Sequence, residues 1–380
     1  MIAARAPWIA AVALLVAACG SPSTVPTPSA PAVVTTQAAA PTPSSTPVTT
    51  PIATATPAPK FPPGLYVMRP SSEAPGGQIE LIGGTLTQSV QIKSIAFDVS
   101  ADAVVWGEND TLVVARADGK MERIVIKGLY SMGRPSLSPD GQRVIVQATE
   151  EVVVPGATQA PQGAVAHLDT AYVVDLKTGT WRRVGPVPTS PSTQSEMPVF
   201  FPSGDRVAYW LPDTEQRCLV IKVHDATTLA EVLTIRDRGT TGCYVPKPGG
   251  GARFHFAVSR DSSRIVISAQ LQIYDAKTGA LVADVRQAAL DGLAAAGYKI
   301  DTRFPGAQNR GLYPIAASFS PDGKQIAFDG SVEKDGAYGM ILCRINVDGS
   351  GFTVLRAPVP VPMPRFTNNL NFSPLWPQWR

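Results

Sequence analysis

One phrase recurs through this chain and limits what it can fold into: an apolar run, a Ser-Pro-Asp-Gly-like turn, then a second apolar run. It reads Leu137-Ser138-Pro139-Asp140-Gly141-Gln142-Arg143-Val144-Ile145-Val146, and returns as Phe201-Pro202-Ser203-Gly204-Asp205-Arg206-Val207-Ala208-Tyr209-Trp210. Further copies run from Val258 to Ile267 and from Phe319 to Phe328. A worn copy spans Val99 to Trp106, and a truncated one reads Asn371-Phe372-Ser373-Pro374. Pro and Asp-Gly suit a tight turn, and the β-branched and aromatic residues beside them suit strands. Each copy is therefore a predicted hairpin.

A second hairpin type alternates with the first. It covers Thr111–Ile126 (turn Ala117-Asp118-Gly119-Lys120), Tyr172–Val184 (Lys177-Thr178-Gly179), Leu219–Ile235 (Asp225-Ala226-Thr227-Thr228), Gln272–Val285 (Lys277-Thr278-Gly279) and Ile341–Leu355 (Asp348-Gly349-Ser350). Leu65–Ile82 is a looser version around Pro75-Gly76-Gly77. Two hairpins make four antiparallel strands, and such a unit repeated every 40–60 residues or so predicts a β-propeller. With strands named a to d from the axis outward, the Ser-Pro-Asp-Gly hairpin is a–b and the other is c–d. Six of each predict six blades over residues 64–380. The c–d pair at 65–82 and an a–b pair near 368–379 predict one composite blade that ties the ends together and removes two sheet edges.

The two hairpins together resemble the TolB-like (WD-repeat-like) six-bladed propeller family over all of residues 64–380. The resemblance implies the fold. The family's namesake has an α/β domain ahead of its propeller and partners in the Tol–Pal system. This chain has a different segment there, so that partnership is not implied.

The segment ahead of the repeats reads as an export signal and a spacer. Arg5 is followed by an almost wholly apolar run from Pro7 to Ala18. That run is too short for a membrane span and suits a signal peptide over residues 1–18. It ends in Val16-Ala17-Ala18-Cys19-Gly20, which looks like a bacterial lipobox. Small residues before Cys19 permit cleavage there, and a diacylglycerol on the thiol plus an acylated amine predicts stable membrane attachment. The expected location is outside the cytoplasm, on the outer membrane or the outer leaflet of the cell membrane. Residues 19–63 are then a lipidated Cys and a tether of Pro, Thr, Ser and Ala, with twelve prolines and no charge before Lys60. Such a stretch buries too little apolar surface to offset its ordering entropy.

Composition removes other functions. A net charge of +3 from 33 basic and 30 acidic residues excludes an electrostatic nucleic-acid binder. His167, His224 and His255 lie far apart without neighbours at metal-ligand spacing, so no metal and no cofactor are expected. There is no Gly-x-Ser-x-Gly elbow and no phosphate loop. Asp98, Asp102, Asp140 and Asp322 read as turn formers rather than calcium ligands. Of the four cysteines, Cys343 alternates in phase with Ile341 and Ile345 and reads as a buried thiol. Cys218 and Cys243 sit at one end of the same blade and are expected to pair in an oxidising compartment.

The expected function is a membrane-tethered module that binds a protein, peptide or glycan. The alternatives are a glycan lyase or hydrolase using channel carboxylates, with Asp98 and Glu196 near inner strands, and a structural envelope protein. The a–b turns and most c–d turns are tight. Long insertions fall in the b–c connection at about 150–168 and in d–a connections at 186–197, 236–252 and 287–314. All four belong to one end of a propeller, so that end is the predicted binding face. Candidate contacts are Arg134, Glu196, Arg253, His255 and Tyr313 near the starts of inner strands, with Tyr298 and Arg303 on the largest insertion. Ala288–Ala296 in that insertion predicts a short helix ended by Gly297.

Overall fold

A computed structural model describes residues 61–70, 77–84, 86, 90–94, 96–100, 102–153, 165–186, 196–213, 218–236, 255–268, 270–300, 316–360 and 377–379. These residues form six small antiparallel sheets, one per blade, in a six-bladed β-propeller. Blade 1 contains β1 (Leu65–Pro70), β2 (Gly77–Ile82) and β3 (Gln91–Ile92). Blade 2 is β4 (Phe97–Val99), β5 (Ala103–Glu108), β6 (Thr111–Arg116) and β7 (Met121–Val125). A two-residue strand β8 (Leu129–Tyr130) precedes blade 3, which is β9 (Pro135–Leu137), β10 (Arg143–Val153), β11 (Val165–Asp175) and β12 (Trp181–Val184). Blade 4 is β13 (Glu196–Phe200), β14 (Arg206–Asp213), β15 (Cys218–Asp225) and β16 (Glu231–Arg236). Blade 5 is β17 (Phe256–Val258), β18 (Arg264–Ile267), β19 (Gln272–Asp275) and β20 (Leu281–Asp284). Helix α1 (Arg286–Ala295) and β21 (Lys299–Ile300) lead into blade 6, which is β22 (Ala317–Phe319), β23 (Gln325–Lys334), β24 (Ala337–Asn346) and β25 (Thr353–Pro360). The last strand, β26 (Gln378–Trp379), pairs with β1.

The composite blade exists, but its division differs from the expected two and two. Its order is β26-β1-β2-β3, so the carboxyl end supplies one strand and the amino end three. The hairpin 65–82 is b–c, with Pro70 opposite Gly77, and β3 is the outer strand. A loose Gly-rich turn does not reveal which pair of strands it joins. The truncated repeat at 371–374 lies outside the described residues.

Local chemistry explains the recurring turns. In Ser138-Pro139-Asp140-Gly141, the Ser138 hydroxyl accepts the Arg143 N–H at 2.9 Å and donates to Asp140 Oδ1, which also accepts the Gln142 N–H. Ser259 with Asp261, Ser320 with Asp322, and Ser100 with Asp102 of the worn copy repeat this closure. The c–d turns rest on Asp175, Asp225 and Asp275. Each carboxylate accepts two backbone N–H groups and a Thr hydroxyl two or three residues on. These are Asx turns, and Gly179 and Gly279 (φ +68° and +71°) take the left-handed position that glycine adopts freely.

The core lies between blades. β5 is buried along both faces because blades pack on either side, whereas β7 on the outside is largely exposed. Val105, Leu112 and Val114 of blade 2 meet Val144, Val146 and Tyr172 of blade 3 in one apolar cluster. Leu65 and Val67 meet Ala327, Met340 and Leu342 where the ring closes. Arginines that open b strands clamp neighbours. Arg206 donates to the Ala276 and Ser262 carbonyls of blade 5 at 2.9 and 3.1 Å and lies 4.2 Å from the Phe201 ring centroid. Arg143 reaches the Ala226 carbonyl of blade 4.

Two sheets gain a fifth strand. β10 and β23 are far longer than the inner strands beside them, which leaves half of each b edge uncovered. β8 and β21 pair with those exposed halves. The expected helix is present. Gly297 (φ +80°) follows it, and the Gly297 and Tyr298 N–H groups return to the Ala294 and Leu293 carbonyls in a Schellman cap. Cys343 is fully buried, and burial pushes its thiol above the ordinary range.

Candidate functional site

The inner strands of all six blades wall one axial cavity of about 450 Å³. Its mouth is formed by the a–b turns at Ser100, Pro139, Pro202, Arg260 and Pro321. Arg134, just ahead of β9, also lines it, and Pro63, Gln378 and Trp379 complete the wall in blade 1. Asp98, Val99, Ser136, Leu137, Val199, Phe200, Ala257, Val258, Ser318 and Phe319 line the shaft.

A repeated backbone geometry sets the chemistry of this wall. Ser138, Phe201, Ser259 and Ser320 each donate their N–H to the residue that opens the following b strand, at 2.8–2.9 Å. In an antiparallel pair successive N–H groups alternate in direction. The residue before each turn therefore directs its N–H away from its own sheet, toward the axis. These residues are Leu137, Phe200, Val258 and Phe319, and the pattern extends to Val99 and Trp379.

In three junctions the preceding blade supplies an acceptor. Asp98 Oδ2 accepts the Leu137 N–H at 2.7 Å, Ser136 Oγ accepts the Phe200 N–H at 3.1 Å, and Ser318 Oγ accepts the Trp379 N–H at 2.9 Å. Val99 takes the other oxygen of Asp98 at 2.9 Å. The corresponding positions ahead of Val258 and Phe319 are Val199 and Ala257, whose side chains hold no acceptor. Those two N–H groups meet no acceptor among the described residues.

Asp98 is thus not the turn former its sequence position predicted. It bridges blades 2 and 3 and faces the Arg134 guanidinium. Desolvation within the ring raises its carboxyl above the usual carboxylate range, against the Leu137 and Val99 N–H groups, Arg134 and Ser136, which all favour the ionised form. Burial lowers Arg134 to about 10, against the attraction of Asp98. In both partners the loss of water outweighs the pairing. Asp102, Asp140 and Asp322 do form turns. Asp140 and Asp322 are held below the ordinary range, chiefly by the hydroxyls of Ser138 and Ser320.

The predicted contacts separate into groups. Arg134 is 7% exposed and lines the cavity. His255 is 2% exposed just before β17, where its backbone N–H and C=O both bond the Ser268 hydroxyl. Tyr298 follows α1 and lies 4.7 Å beneath the Lys334 ammonium. Glu196 begins β13. Arg253, Arg303 and Tyr313 lie outside the described residues, as do Cys19 and the Cys243 half of the expected disulfide, whose other half, Cys218, begins β15. The insertions attach as expected, after β10 in a b–c connection and after β12, β16 and β20 in d–a connections. The axial cavity, however, opens among the a–b turns, at the end opposite the predicted binding face, because the tight turns leave the shaft uncovered there.

Sequence reasoning missed Asp98 in this role, Arg260 and the axis-directed amides. Arg260 stands where Pro139 and Pro321 stand in sister turns. It is exposed at the mouth and makes no ion pair or hydrogen bond among the described residues. Asp98 is the one carboxylate lining the cavity among those residues. Hydrolysis of a glycosidic bond ordinarily needs two facing carboxylates. No cluster of three or more His, Cys, Asp or Glu able to hold a metal occurs among the described residues, and no described helix is long and apolar enough to cross a membrane.

No known family model matches the sequence, and no curated protein matches it. Several solved structures are similar. A TolB-like protein from Agrobacterium tumefaciens aligns at TM-score 0.44 and 13% identity, covering 77% of this chain and 87% of that one. Hydrazine synthase from Kuenenia stuttgartiensis aligns at 0.41 and 14%, covering 74% and 70%. A chain of a nidogen/laminin complex aligns at 0.42 and 12%, covering 75% and 90%. The six-bladed assignment stands on the sheets themselves.

Proposed function

We propose that this chain is an exported binding module, held to a membrane through lipid on Cys19, that captures a protein, peptide or glycan partner in its axial cavity. The observation that carries the reading is the cavity itself, walled by the inner strands of all six blades and mouthed by their a–b turns. Loops and strand ends gathered by a rigid scaffold are common binding positions. The lipobox Val16-Ala17-Ala18-Cys19 supports the attachment. Filling the shaft tests the site. Ala257→Trp, folded as judged by its melting curve, should lose a partner that the wild type retains from envelope extract. Equal retention by both proteins would remove the axial cavity as the binding site. Separately, Cys19→Ala should move the protein from the membrane to the soluble fraction, and persistent membrane attachment would contradict the lipid anchor.

A further inference from the structure

We infer that the junction of blades 5 and 6 is a carboxylate subsite, which holds the acidic group of a peptide on the N–H groups of Val258 and Phe319 beneath Arg260. The inference rests on the axial cavity being the ligand site and names the chemistry it selects.

The ring contains its own precedent for this geometry. Blades 2 and 5 lie opposite each other, as do blades 3 and 6. At the junction of blades 2 and 3 the Asp98 carboxylate takes the Leu137 N–H at 2.7 Å and the Val99 N–H at 2.9 Å, beside the Arg134 guanidinium. At the junction of blades 5 and 6 the two equivalent donors are Phe319 N–H and Val258 N–H. A guanidinium is present here at the other end of the strand, on Arg260 in the turn at the mouth. Only the carboxylate is missing, because Ala257 occupies the place of Asp98. Phe319 is 4% exposed, so its N–H has little access to bulk water. A ligand carboxylate seated over Ala257 would complete the set with two backbone donors and one cation. Hydrogen bonds of this charge-assisted type are the stronger ones.

Charge and surface favour a peptide. Arg134 is opposed by Asp98, whereas no described group opposes Arg260, so among the described residues the cavity lining carries one uncompensated positive charge. The wall beside the open donors carries Val199, Phe200, Phe319 and Trp379 together with the polar Ser318. It suits an apolar side chain next to an acidic group better than a ring of sugar hydroxyls.

The test is a titration of the full protein, read through the backbone amide signals of the cavity lining. The probes are acetyl-Ala-Leu with a free carboxylate, the same peptide as its carboxy-terminal amide, acetyl-Ala-Asp-Ala amide, and galacturonate. The free acid should move the Val258 and Phe319 amide protons downfield, and the amidated form should not. A response to acetyl-Ala-Asp-Ala amide would support the subsite and identify a side-chain carboxylate as its occupant. Arg260→Pro restores the sister-turn residue and should weaken the acid about tenfold, the effect of losing one charge-assisted contact. Ala257→Asp should shift both amides without any ligand and abolish the response to the acid. Equal shifts of other lining amides by acid and amide, with Val258 and Phe319 unmoved, would overturn the carboxylate subsite and leave axial binding standing. A response to galacturonate alone would overturn the peptide assignment. No lining shift with any probe would overturn both readings.

Discussion

The junctions of blades 2 and 3 and of blades 5 and 6 face one another across the axis with the same backbone and different contents. In both, an inner strand ends at a serine-closed turn and presents an N–H to the axis. At the first, Asp98 fills that demand from within the chain. At the second, Ala257 offers no acceptor and none is met among the described residues. The comparison separates two uses of one geometry. A filled junction joins neighbouring blades, and an open one leaves donors for something else. With the proposed subsite, stability and recognition are allotted to different sectors of one ring, a division that a hydrogen-bonded scaffold permits because each junction is locally self-contained.

The contrast can be broken at several points. The largest effect should come from removing residues 377–380. Blade 1 then loses its inner strand, the Ser318–Trp379 bond and the packing of Pro377 and Trp379. Ordinary burial and hydrogen-bond values put the loss at about 3–4 kcal/mol. Denaturant unfolding measures it, and an unchanged midpoint would mean that β26 does not close the ring.

Next comes Asp98→Ala, which strips acceptors from two N–H groups and leaves Arg134 without its carboxylate. Partial exposure of Asp98 tempers the penalty of a fully buried broken pair to about 2–3 kcal/mol. The same residue has a pH signature. Its folded value is raised, so its contribution to stability is greatest at acid pH and is lost as pH rises through a value above 3.8. Asp140 and Asp322 of the turns are lowered and act in the opposite sense, losing their contribution as pH falls below 3.8. The melting difference between wild type and Asp98→Asn should therefore be largest near pH 3.5 and shrink toward neutrality. A difference that grows with pH would show the ion pair outweighing desolvation.

Ser136→Ala and Ser318→Ala each orphan one axis-directed N–H and should cost about 1–2 kcal/mol. If both were neutral, filled and open junctions would be energetically equivalent. The smallest change is a gain. Ala257→Asp imports the acceptor of the opposite junction, and about 1 kcal/mol of stabilisation is expected in the same unfolding assay.

The fold was legible because its repeated signal is local. Ser138 and Asp140 close a turn within five residues, so their residue types betray it. Helix α1 and its Gly297 stop are local in the same sense. The composite blade was legible as an idea but not in its division, since β26 has two residues and no turn of its own. The site was harder. Asp98 bonds an N–H thirty-nine residues away in another blade, and nothing near it in sequence announces that. The open donors are backbone groups, which leave no residue-type trace. One alignment would have exposed them: with the inner strands in register, Asp98, Ser136, Val199, Ala257 and Ser318 fall in one column, and its apolar members mark the open positions.

The three-plus-one composition of blade 1 also orders events in time. A chain made from its amino end presents β1, β2 and β3 first, and they wait with an empty inner position while five further blades assemble. Gln378 and Trp379, the last described residues to emerge, supply the missing strand and also the last section of cavity wall. Closure of the ring and completion of the cavity wall therefore coincide. A polypeptide without β26 lacks both closure of the ring and that section of the cavity wall.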